Sequence, residues 1–575
     1  MLKLFRILKD FKFAVIISLI LVMARALTDL YLPTLTAEIV NVGIVNGDTP
    51  FILRMGGWML AIAVGGGICA VVSSYYSAKA ATGFATILRQ KVFTRVESFS
   101  LHEFDEFGTA SLITRTTNDI TQLQMVVMMG LRMMVMAPVM SIGGIFMAAS
   151  KDKTLSLVFL VALPILFLLI TFIARKGIPL FQAIQVKLDT LNLVLREGLT
   201  GMRVIRAFNR DDYEKERFQV ANLDYTNTAI RVHRIMSVMM PVMMIVMNLT
   251  TISIVWFGGI RIDRGHMMVG DLMAFIQYGM HIMFSMFGVS MMFIMIPRAA
   301  ASANRINKVL ETKPQIVDAD VVKTAEERSG YVEFDDVTFS YPGAELPALR
   351  NISFSAGPGE ITAIIGGTGS GKSTISSILM RFYDIQSGSI LVDGVDIREM
   401  AQANLREKIG YVPQRAVLFS GSVADNIRFG REDATDDEVE HAAEISQSSE
   451  FISAMKSGFD SEIAQGGANV SGGQKQRLAI ARALARKPEI YIFDDSFSAL
   501  DFLTDAKLRA ALKDETAKAT VIIVAQRVST VMDADRIIVL EAGEVVGMGT
   551  HRELLANNAV YHEIVSSQLS EEEIA

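Results

Sequence analysis

A run of nine residues, GGTGSGKST at 366–374, combines small residues and one amine in the spacing that holds a polyphosphate. Gly366, Gly367, Gly369 and Gly371, with Thr368 and Ser370 between them, let the backbone turn its N–H groups inward on phosphate oxygens. Lys372 then reaches the β- and γ-phosphates, Ser373 offers its hydroxyl to Mg²⁺, and Thr374 leads into a helix whose N-terminus favours negative charge. An apolar strand, EITAII, enters this loop and a helical pattern leaves it, which is the context that gives the pattern its meaning. Further on, IYIFD is an apolar strand ending in Asp494, a carboxylate placed to hold Mg²⁺ directly or through water. These residues point to binding of a nucleotide with Mg²⁺.

The elements that must position them begin near residue 330. Strand-like runs (YVEFDDVTF, EITAII, IYIFD, TVIIVA, RIIVL) alternate with helical patterns, so 330–575 reads as an α/β P-loop domain with a largely parallel sheet. A polar segment at 311–329 is the linker, and 1–310 is a separate all-α domain. A chain of 575 residues exceeds what one core supports. With 51% hydrophobic and 20% charged residues it suits partial immersion in lipid, and a net charge of −6 excludes a general nucleic-acid binder. The single cysteine, Cys69, excludes an intrachain disulfide or a zinc cluster.

Six apolar stretches are long enough to span hydrocarbon: about 13–35, 57–78, 126–149, 155–174, 235–258 and 272–296. The first is read as a retained span because no small-residue cleavage site follows it. Lys and Arg concentrate before the first span and after the second and fourth, which puts those segments and both termini in the cytoplasm. Lys151, Lys153, Arg261 and Arg264 run against that rule. The connections 79–124 and 175–234 are rich in helix formers, and each is expected to carry a short crossing helix at its tip, near 108–119 and 198–208. Arg25 and Asp29, four apart, can neutralise each other on one helix face. Arg132, Asn248 and His281 are polar groups within or near spans and are candidates for lining a substrate cavity. The 33 methionines, clustered in runs such as MSVMMPVMMIVM, favour a surface that repacks around apolar ligands, although packing or lipid contact explains any single one equally well.

With these residues in view, the whole chain resembles the ATP-binding cassette (ABC) exporters. VSGGQKQR resembles the family's signature motif through Val470, Ser471, Gly472, Gly473 and Gln474. The resemblance implies that Tyr341 stacks on adenine, that Gln414 is the Q-loop glutamine approaching Mg²⁺, and that Ser498, Ala499, Leu500 and Asp501 form the D-loop. It also implies that the crossing helices are coupling helices, and that six spans ahead of one cassette make a half-transporter. ATP is then held between one subunit's phosphate loop and the other's signature. Where the family carries a catalytic glutamate and a switch histidine, this sequence has Asp495 and Gln526, while its signature is intact. That pattern is similar to the degenerate-site subunit of heterodimeric bacterial multidrug-type exporters, partnered by a second half-transporter in the cell membrane. The expected cargo is an amphipathic or apolar drug, lipid or peptide. A homodimer with two slow sites, an importer on the same scaffold, and an ATP-dependent sensor remain alternatives.

Overall fold

The computed structural model describes residues 1–319, 321–325 and 329–569. The chain divides into two compact units, one formed by Met1–Glu97 and Ala110–Glu311, the other by Ser98–Thr109 and Thr312–Ala575.

In the first unit, long stretches of Leu, Ile, Val, Met and Ala satisfy their backbone hydrogen bonds within helices, as hydrocarbon requires. Among the described residues five segments are long and apolar enough to cross a membrane: Lys3–Ile44, Thr49–Glu97, Thr109–Lys151, Leu157–Gly177 and Asp211–Asp263. The sixth expected span, 272–296, runs within the helix Val269–Glu311, and its side chains at 287, 289–291, 293 and 294 lie outside the described residues. Large apolar side chains such as Phe146, Leu160 and Trp256 face outward, the inverse of a water-soluble surface. Inside, Ala26, Leu30, Phe159, Phe275, Tyr278 and Ile282 are buried together, and the rings of Phe159 and Phe275 stack with centroids 5.2 Å apart. Gly144 permits this approach, since a Cβ there would lie 2.7 Å from Ile282 Cγ1. Arg25 Nε sits 3.6 Å from Asp29 Oδ2, the internal neutralisation their spacing allows.

The first crossing helix departs from expectation. It lies at Leu101–Phe107, not at 108–119, where the chain has already resumed helical structure from Thr109 onward. Ser100 and Glu103 form a capping box that starts it, and Gly108 at φ 73° ends it. The polar run TRTTND instead forms the start of the long helix, where Asp119 is fully buried and accepts hydrogen bonds from Ser302 Oγ (2.9 Å) and Arg305 Nε (2.8 Å). The second crossing helix, Met202–Ala207, falls inside the segment expected for it.

The second unit is built on two main sheets. The larger runs Glu544–Gly549, Arg536–Glu541, Ile361–Gly366, Thr520–Val524, Ile490–Asp494, Ile409–Val412; all pairings are parallel except the first. Its central strands are buried on both faces, hence their unbroken apolar sequences. The other sheet is antiparallel, in the order Leu349–Ala356, Val332–Phe339, Ser387–Val392, Val395–Asp396, so YVEFDDVTF does not join the parallel sheet. Between the sheets lies a core including Phe334, Phe339, Ile378, Ile492, Val524 and Leu540. The helix Leu101–Phe107 is part of this unit: the buried Glu103 accepts from the Gln315 N–H at 3.1 Å, and Tyr383 OH donates to Asp105 Oδ2 at 3.2 Å.

Candidate functional site

The buried strand Ile361–Gly366 delivers the chain into the phosphate loop, and Gly371, at φ 98°, turns it into the helix Lys372–Leu379. No other residue fits at 371, because a Cβ would strike Leu349 Cδ2 at 2.6 Å and the Ala348 carbonyl oxygen at 2.9 Å. Gly367, Thr368 and Gly369 face outward. Lys372 is buried, and its Nζ donates to the carbonyl oxygens of Gly366 (2.8 Å) and Gly367 (2.7 Å), folding the amine across the loop. Burial lowers its pKa from the usual lysine value. The Ser370 hydroxyl is buried and finds no hydrogen-bond partner among the described residues, an orphan that a phosphate oxygen satisfies. Thr374 Oγ1 lies 3.1 Å from Tyr341 OH, which fixes that ring beside the loop. Tyr341 also meets Phe339 and Tyr383 edge-on, with centroids 4.9 Å and 5.3 Å away.

Next to the loop, Ser373 Oγ donates to Asp494 Oδ1 at 2.8 Å, and Tyr411 OH approaches Oδ2 at 3.5 Å. Burial raises the pKa of Asp494, and the neighbouring Asp495 charge adds to the effect. A hydroxyl and a carboxylate are the hard oxygen donors Mg²⁺ takes, so this pair fits that ion. Asp495 leaves the strand at φ 46°, anchored by its N–H to the Val524 carbonyl at 2.8 Å. That turn swings its carboxylate toward two amides: Gln414 Nε2 at 3.0 Å and Gln526 Nε2 at 3.3 Å both donate to Oδ2. Ser498 Oγ donates to the Asp495 carbonyl at 2.9 Å, and Arg527 donates to the Ser498 carbonyl at 3.0 Å. Leu500 is buried, Ala499 is exposed, and Asp501 caps the helix Phe502–Glu515 through the Thr504 N–H at 3.0 Å.

The signature segment forms a helix start of a different kind. Val470 packs into the core, and Ser471 caps the helix Gly472–Ala485 in a reciprocal box with Gln474. Ser471 N–H donates to Gln474 Oε1 at 2.9 Å, and Gln474 N–H to Ser471 Oγ at 3.3 Å. Ser471 and Gly472 face solvent, and a Cβ on Gly473 would come within 3.2 Å of the Ala499 carbonyl. The helix therefore presents its positive end outward, with nothing bulky in front.

The structure thus gathers Lys372, Ser373, Asp494, Asp495, Gln414 and Gln526 at the C-terminal ends of neighbouring parallel strands. It does not gather the three cavity candidates. Arg132 and Asn248 are exposed, His281 is half-buried, and none of them lines the cavity of about 610 Å³ between the helices Leu157–Thr200 and Asp211–Asp263. The roles of Tyr383, Tyr411 and Arg527 are not legible in the sequence, because each meets a partner at least 29 positions away.

Residues 15–287 match the family model described as the ABC transporter transmembrane region, and residues 349–498 match the model described as ABC transporter. An uncharacterized ABC transporter ATP-binding protein of Mycobacterium tuberculosis (strain CDC 1551 / Oshkosh) is 41% identical over 565 residues, 98% of this chain and 97% of that one. A fatty acid ABC transporter ATP-binding/permease protein of Mycobacterium bovis is 33% identical over 478 residues, 83% of this chain and 75% of its own length. Among solved structures, a bacterial Atm1-family ABC exporter with ATP bound superposes with a TM-score of 0.81 at 24% identity, covering 97% of this chain and 99% of that one.

Proposed function

This chain belongs to the ABC transporter family, in which ATP hydrolysis is coupled to transport, and on that premise we propose that it is one half of a heterodimeric exporter. In this reading 1–310 is the membrane domain, 311–329 the linker and 330–575 the nucleotide-binding domain, with both termini in the cytoplasm of a bacterial cell. The observation that carries it is the Asp495 carboxylate, one methylene shorter than the family's glutamate and engaged by the amides of Gln414 and Gln526. A general base must bring its oxygen within about 2.6–3.2 Å of the oxygen whose proton it takes, and a misplacement of ~1 Å costs about 10²-fold. Gln526 can hydrogen-bond a γ-phosphate but cannot carry a proton.

This half-site is therefore a holder of nucleotide more than a hydrolase. The loop amides, Lys372 and Ser370 bind the phosphates, Tyr341 packs on adenine, and Ser373, Asp494 and Gln414 hold Mg²⁺. When bound there, the ion would neutralise phosphate charge. Ser471, Gly472, Gly473 and Gln474 serve the other composite site, where they aim a helix N-terminus at the partner's nucleotide. The cargo is an amphipathic or apolar compound, supported by the methionine-rich spans and by the fatty acid named for the Mycobacterium bovis relative.

ATPase activity of the purified chain in lipid, alone and mixed with candidate partner halves, tests the reading. We expect little turnover alone, and turnover with a partner that vanishes when the partner's glutamate is replaced. Robust turnover by the chain alone, indifferent to Asp495→Glu, overturns it in favour of a homodimer.

A further inference from the structure

The four cations that break the orientation rule do not share one fate. Lys151 Nζ pairs with Asp271 at 2.9 Å, and Arg261 pairs with the buried Asp152 at 2.7 Å. Lys153 and Arg264 are exposed and have no ion pair among the described residues. Asp263, beside Arg264 in sequence, is exposed and does not line the cavity described above, whereas Arg264 does. That cavity, about 610 Å³, lies in the range of small-molecule sites. Its lining on one helix runs from Arg264 to Val246, which at 1.5 Å per residue is about 27 Å, so it is a groove more than a bowl.

The groove is polar at one end only. Thr154, just ahead of one helix, and Arg261 and Arg264, in the last turn and at the C-cap of the other, make that end, while the remainder is walled by side chains such as Val161, Leu249 and Phe257. Two hydroxyls interrupt those walls, but both are already used: Thr250 donates to the Val246 carbonyl at 2.7 Å and Ser253 to the Leu249 carbonyl at 2.8 Å. A long apolar trough closed by a cation without a counter-charge matches a molecule with one acyl chain and one anionic head.

We propose that this groove binds a single-chain anionic amphiphile, of which a long-chain fatty acid is the simplest, with its head on Arg264 beside Thr154. The role of such binding in transport rests on the amphiphile-export reading above; the binding itself does not.

The chain has two tryptophans, and Trp256 borders the groove stripe on its helix, so Trp58→Phe leaves one well-placed reporter. The full chain in phosphatidylcholine nanodiscs is titrated with dibromostearate and, separately, with the matching uncharged dibrominated alcohol. We expect the acid to quench Trp256 saturably at low mole fraction, and the alcohol only in proportion to its concentration. Arg264→Gln should weaken the acid about tenfold, the loss of one charge-assisted contact, while Arg264→Lys retains most of it. Val161→Phe, which narrows the trough without touching charge, should also weaken it. The thermal unfolding midpoint of each variant checks its fold. Identical curves for acid and alcohol, or no effect of both Arg264→Gln and Val161→Phe, mean ordinary annular lipid and overturn the site. Displacement of the acid by millimolar inorganic phosphate overturns the acyl part and leaves a bare anion site. If ATP-driven acyl transport persists while the groove fails these tests, the export reading stands without this site.

Discussion

Two helix N-termini of the second unit, both given to nucleotide in the function proposed above, are built differently. The helix Lys372–Leu379 begins at a left-handed glycine, with a buried lysine folded across the loop and a neighbouring carboxylate, Asp495, tied to two amides. The helix Gly472–Ala485 begins at a serine capping box that occupies the Ser471 and Gln474 N–H groups, and Ser471 and Gly472 face solvent. The two residues that differ from the family pattern, Asp495 and Gln526, belong to the site around the first helix, and the segment that opens the second matches that pattern. In the proposed pair, the chain's own half-site is the changed one, and the signature it would lend to a partner is preserved. That proposal assigns binding and hydrolysis to different faces of one fold.

Several substitutions can break that contrast or sharpen it. Ser471→Arg should abolish ATPase activity of the assembled pair, by about 10²–10³-fold, because a guanidinium would occupy the space in front of the helix and remove the cap. The chain's own affinity for a fluorescent ATP analogue should stay within about twofold in the same variant, since its phosphate loop is untouched. Lys372→Ala should do the reverse to binding, weakening the analogue by about 10²-fold as two charge-assisted contacts are lost. The double change Asp495→Glu with Gln526→His should raise single-site turnover by about tenfold or more, read as phosphate release from a pair whose partner glutamate has been replaced. In an otherwise unaltered pair, Asp495→Asn should change total turnover by less than about twofold.

Much of this was readable in advance because the chemistry is local. Gly366 to Thr374 are contiguous, Asp494 and Asp495 close one strand, and Ser471 to Gln474 open one helix, so each pattern carried its own context. The unread parts are those that the chain assembles from far apart. Tyr383 touches Asp105 across 278 positions, and no local pattern marks either residue. The antiparallel sheet is legible only in part: YVEFDDVTF is broken by Glu333, Asp335 and Asp336, unlike the apolar parallel strands, and its pairing completes the distinction. The first crossing helix was misplaced for a subtler reason. The polar TRTTND run looks like a tip, while the true signals, Ser100 with Glu103 and then Gly108, lie just ahead of it. The Asp119 in that polar run is buried by Ser302 and Arg305, nearly two hundred positions away. The smallest expected effect belongs here: Ser100→Ala removes the cap and should cost about 1 kcal/mol, seen as faster amide exchange confined to Leu101–Phe107.

The membership of Ser98–Thr109 in the second unit has a practical side. In space this unit is made of two pieces of chain, so no single cut at the linker isolates it. A fragment beginning at residue 312 would lose the Glu103 carboxylate that accepts from the Gln315 N–H, together with the acceptor of the Tyr383 phenol, and would expose the face they cover. Chimeras joined at the linker would graft one molecule's twelve-residue tenon into another's mortise. Swaps that carry 98–109 along with the C-terminal half keep the joint matched, and they are the ones to build first.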